Sequence, residues 1–331
     1  MNSPTTDPLL EVREAAVWYP IRRGIISRTV GHVRAVDGVS FKVQPGETVG
    51  LVGESGCGKS TLARAIMHLE KTRSGSVFFD GRDITSSADA ETRLRRRELQ
   101  MIFQDPYSSL NPRMSVLDIV TEGMLQHGII TNSERETAAA ELLEDVGLGA
   151  DALYRYPHEF SGGQRQRISV ARAISLKPKL IVCDEPVSAL DVSVQAQVIN
   201  LLMDLRDKHA LSYLFISHDL SVVKHVADRL LVMYLGRIVE DGPTREVINN
   251  PIHPYTRALI SAIPKIGSDD TERIVLSGDV PSPSSPPSGC HFHTRCPFAN
   301  ERCKDVTPEL ESVSEERRVA CLRKDETLRI D

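Results

Sequence analysis

The sequence Gly53-Glu-Ser-Gly-Cys-Gly-Lys-Ser-Thr61 matches G-x-x-x-x-G-K-[ST], the pattern of a phosphate-binding P-loop. The short apolar run of residues 48–52 precedes it, and residues 62–69 follow it with apolar side chains at helical spacing. A strand, a glycine-rich loop and a helix in this order are the context in which the pattern binds a nucleoside triphosphate. We therefore predict that this loop joins a buried strand to a helix in an α/β fold.

The P-loop pattern assigns different tasks to its residues. Glycines let backbone N–H groups turn inward around phosphate oxygens, and the following helix presents the positive end of its dipole. We expect Lys59 to neutralise the β and γ oxygens and the Ser60 hydroxyl to ligate Mg²⁺. The predicted nucleotide contacts of this loop are Gly53, Ser55, Gly56, Cys57, Gly58, Lys59, Ser60 and Thr61.

Two adjacent carboxylates follow a second apolar run, in Leu180-Ile-Val-Cys-Asp184-Glu185. A buried parallel strand delivers its C-terminal residues to the edge where ligands bind in open α/β sheets. Asp184 fits the coordination shell of Mg²⁺, and Glu185 fits the base that orients or deprotonates an attacking water. Together with the P-loop, these residues predict hydrolysis of the nucleotide.

The composition is that of an ordinary globular protein. The 331 residues are 40% hydrophobic and 26% charged, which argues against disordered and fibrous classes. No run approaches the roughly 18 to 20 apolar residues of a membrane-spanning helix, and the polar N-terminus lacks a secretory signal. We therefore expect a cytoplasmic protein. Its net charge of −5 gives no electrostatic reason to bind nucleic acid.

The remaining chain predicts more strands and a helical insert. Residues 9–19 and 33–43 alternate like strands on either side of a loop at 21–32, and residues 105–160 are rich in helices and turns. Farther along, residues 180–183 and 213–217 predict buried strands joined by a helix.

Within the insert, Ser133 and Glu136 form a capping-box pattern for a helix, and Gly147 is placed to end it. Residues 230–239 predict a closing hairpin, and the proline-rich tract at 281–287 predicts a linker ahead of the C-terminal segment.

Phe160-Ser-Gly-Gly-Gln164 resembles the signature motif of the ABC ATPase family, and Ser161 lies 23 residues before Asp184, a spacing similar to the family's. The resemblance implies a head-to-tail dimer, in which the P-loop of one subunit and the signature of the other enclose ATP. Ser161, Gly162, Gly163 and Gln164 then contact the partner's nucleotide. On physical grounds, a serine and glycines that open a helix also form an anion-binding N-terminus.

Three further residues match the same family. Gln104 resembles the Q-loop glutamine, which joins the core to the helical insert and senses Mg²⁺ or water. Asp191 resembles the D-loop aspartate at the dimer interface, and His218 resembles the switch histidine at the γ-phosphate. Tyr19 lies where the family places an aromatic ring against adenine. Trp18 is the competing choice, and a plain core strand residue is an equally good interpretation.

Longer stretches resemble the ATP-binding subunits of oligopeptide and dipeptide permeases, namely residues 33–40, residues 104–112 and His253-Pro-Tyr-Thr256. The resemblance implies a P-loop NTPase core with an antiparallel β subdomain and a helical subdomain at about 105–175, together spanning 9–250. A small cysteine-containing C-terminal extension follows at 251–331. Nickel importers of the same branch share these features, so the solute stays open between peptides and nickel or another solute.

The resemblance also implies an assembly. The expected partners are a second ABC ATPase subunit, favoured to be a paralogue, two transmembrane permease subunits and, indirectly, an extracytoplasmic solute-binding protein, with no nucleic acid. The chain is then peripheral at the cytoplasmic face of the inner membrane. One alternative is a soluble ABC ATPase acting on nucleic acid, against which the acidic net charge argues. Another is a nonhydrolytic regulator or iron–sulfur electron carrier, against which Glu185 and His218 argue.

Four of the six cysteines lie in the last 42 residues with the spacing C-x5-C-x6-C-x17-C. They are Cys290, Cys296, Cys303 and Cys321. Four thiolates suffice for a [4Fe-4S] cluster or a tetrahedral zinc site, and related permease subunits are described with such clusters. Free or oxidisable thiols are the alternative. We expect a cluster here to be structural.

Overall fold

The computed structural model describes residues 7–24, 27–85, 95–263 and 274–327. Its contacts divide the chain into two compact units, one made of Met1–Ser86 with Ser217–Asp331 and the other of Ser87–Ile216. Among the described residues, no helix combines the length and the apolar composition that crossing a membrane requires.

The described strands and helices alternate from residue 162 to residue 234, and elements of one kind follow one another elsewhere. The strands are β1 (Leu10–Arg23), β2 (Arg28–Val43), β3 (Thr48–Val52), β4 (Ser74–Phe79), β5 (Arg82–Asp83), β6 (Leu99–Ile102), β7 (Leu180–Asp184), β8 (Ser212–Ser217), β9 (Arg229–Tyr234), β10 (Arg237–Pro243), β11 (Glu311–Ser312) and β12 (Arg318–Val319). The helices are α1 (Lys59–Ile66), α2 (Pro106–Ser109), α3 (Val116–Gln126), α4 (Arg135–Asp145), α5 (Gly162–Ile174), α6 (Val192–His209), α7 (Leu220–Val226), α8 (Thr244–Asn249), α9 (Pro254–Ser261), α10 (Glu301–Asp305) and α11 (Lys324–Thr327). Single 3-10 turns occupy Asn132–Glu134, Ala150–Ala152 and Pro157–Glu159.

The first unit contains an antiparallel sheet in the order β2-β1-β4-β5. β1 and β2 occupy the predicted positions but extend farther, to Arg23 and back to Arg28, so the predicted loop at 21–32 is mostly strand. Residues 25 and 26 lie outside the described residues. The extension is exposed and polar, so it lacks the alternation of apolar residues from which a strand is recognised.

The same unit carries the P-loop strand. β3 pairs in parallel with β9, and β9 turns through Gly236 into the antiparallel β10, which confirms the predicted hairpin. β10 pairs with β12, and β12 with β11. The C-terminal segment therefore adds strands directly to the sheet that contains β9 and β10.

The second unit holds the parallel strands β6, β7 and β8, with β7 between the other two. Every residue of β7 and β8 is buried, as the continuous apolar runs predict. α6 joins these two strands and buries Val198, Leu202 and Leu205, which confirms the strand, helix, strand prediction.

The predicted capping box at Ser133 and Glu136 is wrong by two residues. Thr131 and Glu134 form the box instead, with the Glu134 carboxylate accepting a hydrogen bond from the Thr131 amide at 2.7 Å. Both pairs have the same spacing, so the local pattern does not distinguish them. Gly147 ends the helical segment at φ +70°, as predicted.

Candidate functional site

The P-loop follows β3, whose five residues are all buried. Two glycines are required by close backbone approach. A Cβ on Gly53 would lie 2.2 Å from the carbonyl oxygen of Met233, and one on Gly58 would lie 2.0 Å from that of Ala35. Gly58 also has a φ of +108°, which side chains rarely adopt. The loop is therefore held close to the strands beside it.

The start of α1 suits an anion. Gly58, at the N-cap, provides no side-chain cap, and the first turn contains no acidic residue. Lys59 is 4% exposed, and its ammonium donates to the carbonyl oxygens of Gly53 at 2.8 Å and Glu54 at 3.1 Å. A buried ammonium held by neutral carbonyls, beside helix amides with no side-chain cap, fits a polyphosphate.

Cys57 is a buried small residue of the loop. Its thiol lies 3.9 Å from the Lys59 ammonium, and its carbonyl accepts a hydrogen bond from Gly236. Burial raises the pKa of the thiol, so it is a poor nucleophile. Its contribution to the loop is therefore packing.

Tyr19 and Trp18 occupy different surroundings on β1. Burial raises the pKa of the Tyr19 phenol, and its hydroxyl hydrogen-bonds the side chain of Thr61 at the start of α1. Trp18 instead carries the guanidinium groups of Arg34 and Arg73 on its ring, with centroid distances of 4.6 and 4.2 Å. Its indole N–H donates to Asp37 at 3.2 Å. Tyr19 is thus the aromatic residue beside the P-loop helix.

His218 is exposed and lies directly after β8. The next residue, Asp219, donates its amide to the Ser217 hydroxyl at 2.9 Å and accepts the Ser221 amide at 2.8 Å, which caps α7. The backbone around His218 is therefore fixed by hydrogen bonds on its C-terminal side.

In the second unit, the carboxylates predicted from the sequence lie at the end of β7. Asp184 is the last strand residue and is buried, whereas Glu185 is half-buried. The side-chain amide of Gln104 donates to the Glu185 carboxylate at 2.8 Å. The structure thus brings together Gln104 and Glu185, which are 81 residues apart.

Glu185 has an unusual backbone. Its φ of +46° lies in the left-handed region, which is uncommon for a residue other than glycine. Its amide donates to Ile216 at 3.0 Å, and its carbonyl accepts from both the amide and the hydroxyl of Ser188. These bonds on both sides hold the residue in a conformation that costs about 1–3 kcal/mol.

The signature residues open α5. The Ser161 hydroxyl accepts the Gln164 amide at 3.3 Å, and the Gln164 side chain accepts the Ser161 amide at 3.0 Å, which forms a reciprocal capping box. A Cβ on Gly163 would lie 2.4 Å from a methyl group of Val194 at the start of α6. The close packing of α5 against α6 therefore requires the glycine. Asp191 is exposed and directly precedes α6.

The four C-terminal thiols interact electrostatically. Burial, with the charges of the neighbouring thiols as a smaller cause, raises the pKa of Cys290 to about 12 and of Cys296 to about 11. Cys303 is buried, and its carbonyl oxygen accepts a hydrogen bond from the Cys290 amide at 2.9 Å. The donor type suits zinc or an iron–sulfur cluster. However, the part of the chain that the structure describes contains no group of three or more His, Cys, Asp or Glu side chains arranged to hold a metal.

Sequence reasoning missed the partners of Glu54 in the P-loop. The Glu54 amide donates to the Tyr255 hydroxyl at 2.8 Å, and its carboxylate accepts two hydrogen bonds from Arg295. These partners are 201 and 241 residues away. No local pattern signals such contacts, although His253-Pro-Tyr-Thr256 resembles the corresponding stretch of permease subunits.

Two family models match the chain. Residues 36–188 match the model described as ABC transporter, and residues 239–303 match the oligopeptide/dipeptide transporter C-terminal region. The chain is similar to the oligopeptide transport ATP-binding protein AppF of Bacillus subtilis, with 51% identity across 97% of this chain and 99% of the relative. It is 49% identical to the di/tripeptide transport ATP-binding protein DppF of Pseudomonas aeruginosa, across 95% and 97% of the two chains.

Solved structures are similar as well. The ATP-binding cassette MJ0796, described as a dimer in a post-hydrolysis state bound to ADP and Pi, has a TM-score of 0.63 and 26% identity. The match covers 71% of this chain and 99% of that chain. The α/β core expected from the P-loop is therefore the fold of ATP-binding cassettes.

Proposed function

The chain belongs to the family of ABC transporter ATP-binding proteins, in its oligopeptide/dipeptide branch, and from this premise we propose how it works. It is the subunit that binds and hydrolyses ATP to power the import of peptides. The observation that carries hydrolysis is the 2.8 Å hydrogen bond from Gln104 to Glu185 at the end of a buried strand. Similarity to peptide transport subunits over nearly the whole chain supports the solute class.

The first unit binds the nucleotide. Backbone amides of the P-loop and of the first turn of α1 hold the phosphates, and Lys59 gives up its carbonyl partners to neutralise the β and γ oxygens. Tyr19 stacks on adenine, because its hydroxyl already lies at Thr61 beside the loop. The remaining loop contacts are Gly53, Ser55, Gly56, Cys57, Gly58, Ser60 and Thr61.

The second unit supplies the base. The Glu185 carboxylate accepts a proton from the attacking water, and Gln104 orients that carboxylate until water arrives. His218 contacts the γ-phosphate and stabilises its charge. Bound Mg²⁺ would neutralise phosphate oxygens, with Ser60, Asp184 and Gln104 as its proposed ligands, whose oxygen donors suit this ion.

The signature residues act on the nucleotide of another subunit. Ser161, Gly162, Gly163 and Gln164 form the N-terminal turn of α5, where Ser161 is exposed, and an exposed helix N-terminus suits contact with a γ-phosphate across an interface. Asp191 belongs to the same interface. The likeness to a dimeric cassette bound to ADP and Pi supports this arrangement. ATP binding then closes the dimer, and hydrolysis releases it.

The assembly contains a second ATPase subunit, which we propose to be a paralogue, and two membrane permease subunits. An extracytoplasmic solute-binding protein joins indirectly. The chain is peripheral, at the cytoplasmic face of the inner membrane, and binds no nucleic acid. We retain 9–250 as the ATPase domain, with the helical subdomain at about 105–175, and 251–331 as the C-terminal extension.

Reconstitution tests this function. The chain, its co-purifying ATPase subunit and the permease subunits are placed in proteoliposomes with the binding protein, and ATP hydrolysis and solute uptake are measured together. Di- or oligopeptides should stimulate both. Stimulation by nickel ions alone would reassign the solute, and stimulation by RNA or DNA without membrane subunits would overturn the importer assignment.

The C-terminal thiols, we propose, hold a [4Fe-4S] cluster, with zinc as the alternative. Four thiols within electrostatic reach of one another in one segment support ligation, although their present arrangement is not that of a metal site. Protein purified without oxygen should contain about four iron atoms per chain and absorb broadly near about 400 nm. One zinc per chain without iron would replace the cluster by a zinc site, and neither metal would leave free thiols.

A further inference from the structure

Glu54 places a negative charge within the loop that binds a polyanion. Its carboxylate is 27% exposed and belongs to the residue directly after Gly53. The carbonyl oxygen of the same residue accepts a hydrogen bond from the Lys59 ammonium at 3.1 Å. An uncompensated carboxylate here would repel the triphosphate through the poorly screened interior of the loop.

Arg295, from the cysteine-containing segment, neutralises this charge. Its two terminal nitrogens donate to the two carboxylate oxygens of Glu54 at 2.9 and 3.2 Å, the bidentate geometry of a strong ion pair. The Arg295 side chain is only 8% exposed. The arginine is thus shielded from water and the carboxylate is partly shielded, so either charge alone would be costly.

An aromatic cluster anchors the segment that carries the arginine. Tyr234, Tyr255 and Phe292 contact one another with ring centroids 4.7 to 5.5 Å apart. The Phe292 carbonyl accepts a hydrogen bond from the Arg295 amide at 3.0 Å. Tyr255 also accepts the Glu54 amide, so both the amide and the carboxylate of Glu54 are held from the C-terminal part of the chain. The contact is therefore a built feature of the loop and not an exposed ion pair.

We propose that Arg295 is a positioning residue of the ATP site: it cancels the Glu54 carboxylate and thereby lets the P-loop bind a triphosphate at full affinity. The C-terminal segment between Cys290 and Cys303 thus completes the electrostatics of the P-loop. The inference rests on the proposed function, because it takes the loop to be the ATP site.

The test is a double-mutant cycle of charge-neutralising substitutions in the full-length chain, with the Kd for Mg-ATP measured by calorimetry. Arg295→Gln should raise the Kd about tenfold, since it leaves the Glu54 carboxylate unpaired in the loop. Glu54→Gln leaves the Arg295 cation without its carboxylate, so this variant should have a lower melting temperature, but it should bind ATP at least as tightly as wild type because no carboxylate repels the triphosphate. The double variant should return to within about threefold of wild type, because the repelling charge is gone.

A merely structural role predicts the opposite for the double variant. If Arg295 only anchors the C-terminal extension, the double variant will bind ATP as weakly as Arg295→Gln alone. That result would show that the proposal is wrong. The defect of Arg295→Gln should also shrink when NaCl is raised from about 0.05 to about 0.5 M, as charge repulsion requires.

Arg317→Gln is the matched control. Arg317 is another arginine of the C-terminal extension, 8% exposed, and it pairs with the fully buried Glu240 instead of with a residue of the P-loop. Its loss should lower the melting temperature without changing the Kd for ATP. An equal rise in Kd would show that loosening the tail, not charge, weakens binding. Wild-type protein that binds no ATP would overturn the proposed function itself, whereas ATP binding unaffected by Arg295→Gln would overturn only this inference.

Discussion

Glu185, the proposed base, has a backbone conformation that is uncommon for a residue other than glycine. Hydrogen bonds to Ile216 and Ser188 hold its backbone in the left-handed region. This conformation costs about 1–3 kcal/mol and fixes the direction of the carboxylate. Such strain persists where the surrounding structure enforces it, typically at functional sites. The hydrogen bond from Gln104 fixes the same side chain from its other end.

Replacing Glu185 by glutamine removes the base but keeps the shape of the side chain. We expect steady-state ATP hydrolysis by Glu185→Gln to fall at least about a hundredfold, while ATP still binds, because only proton transfer is lost. Phosphate release gives the rate, and calorimetry gives the affinity. Asp207→Asn, an exposed carboxylate change in the same unit, is the control and should hydrolyse ATP normally. Unchanged turnover in Glu185→Gln would remove this residue from the base position.

We expect substitutions of Tyr19 and of Trp18 to have different effects on the KM for ATP, because only Tyr19 is proposed to stack on adenine. Tyr19→Ala should raise the KM for ATP about tenfold with a smaller change in kcat, because a stacked base is worth about 1–3 kcal/mol. Trp18→Phe keeps an aromatic ring between Arg34 and Arg73 and should leave KM unchanged. Steady-state kinetics over a range of ATP concentrations distinguishes them. A raised KM in Trp18→Phe alone would make Trp18 the adenine contact.

Among the elements, those that continuous apolar runs define were predictable. β3 has the predicted bounds, and β7 and β8 differ by one residue at an end, because burial on both faces demands apolar side chains throughout. The helix after Thr131 was predicted, but its cap was not, since two pairs share one spacing. Elements with a polar surface, such as the far end of β1, leave no comparable pattern.

The His253 side chain at the start of α9 should make the free energy of unfolding depend on pH. The His253 ring is buried and accepts the Tyr255 amide at 3.1 Å, which caps this helix. Burial lowers its pKa from 6.5 to about 3. Between these values the unfolded chain binds a proton that the folded chain excludes, so the free energy of unfolding falls as pH falls below 6.5.

His253→Asn tests this cap, because asparagine also caps helices but does not titrate. Each pH unit below 6.5 should cost wild type about 1.4 kcal/mol more than the variant. Urea unfolding at about pH 7, 6 and 5 gives the free energy of unfolding of each protein at each pH, and hence both slopes. Identical slopes would mean that His253 does not control acid sensitivity.

Considered as a whole, the molecule depends on contacts that no local pattern reveals. Arg295 meets Glu54 across 241 residues, and Arg317 meets Glu240 across 77. Charged side chains of a tail normally face solvent, so the sequence favours no partner for them. The phosphate-handling residues were predictable for the converse reason: each belongs to a short motif whose spacing the chemistry itself imposes. The C-terminal extension was recognisable from the sequence. Its ion pair with the P-loop, and the pairing of its strand β12 with β10, could be seen only in the structure.

The division of the site between subunits gives the last prediction. In a Glu185→Gln background, Mg-ATP should hold the chain in a dimer with a second copy or with its paralogue, because the ATP bound in the closed dimer is not hydrolysed. A further Ser161→Asp substitution keeps a residue that caps helices well, but its carboxylate would repel the triphosphate bound to the partner subunit. It should abolish the ATP-dependent dimer in light scattering without changing the Kd of the monomer for ATP. Ser133→Asp, an exposed serine of the same unit, should dimerise normally. A Ser161→Asp chain that still dimerises with ATP would show that the capped turn of α5 does not meet the nucleotide of another subunit.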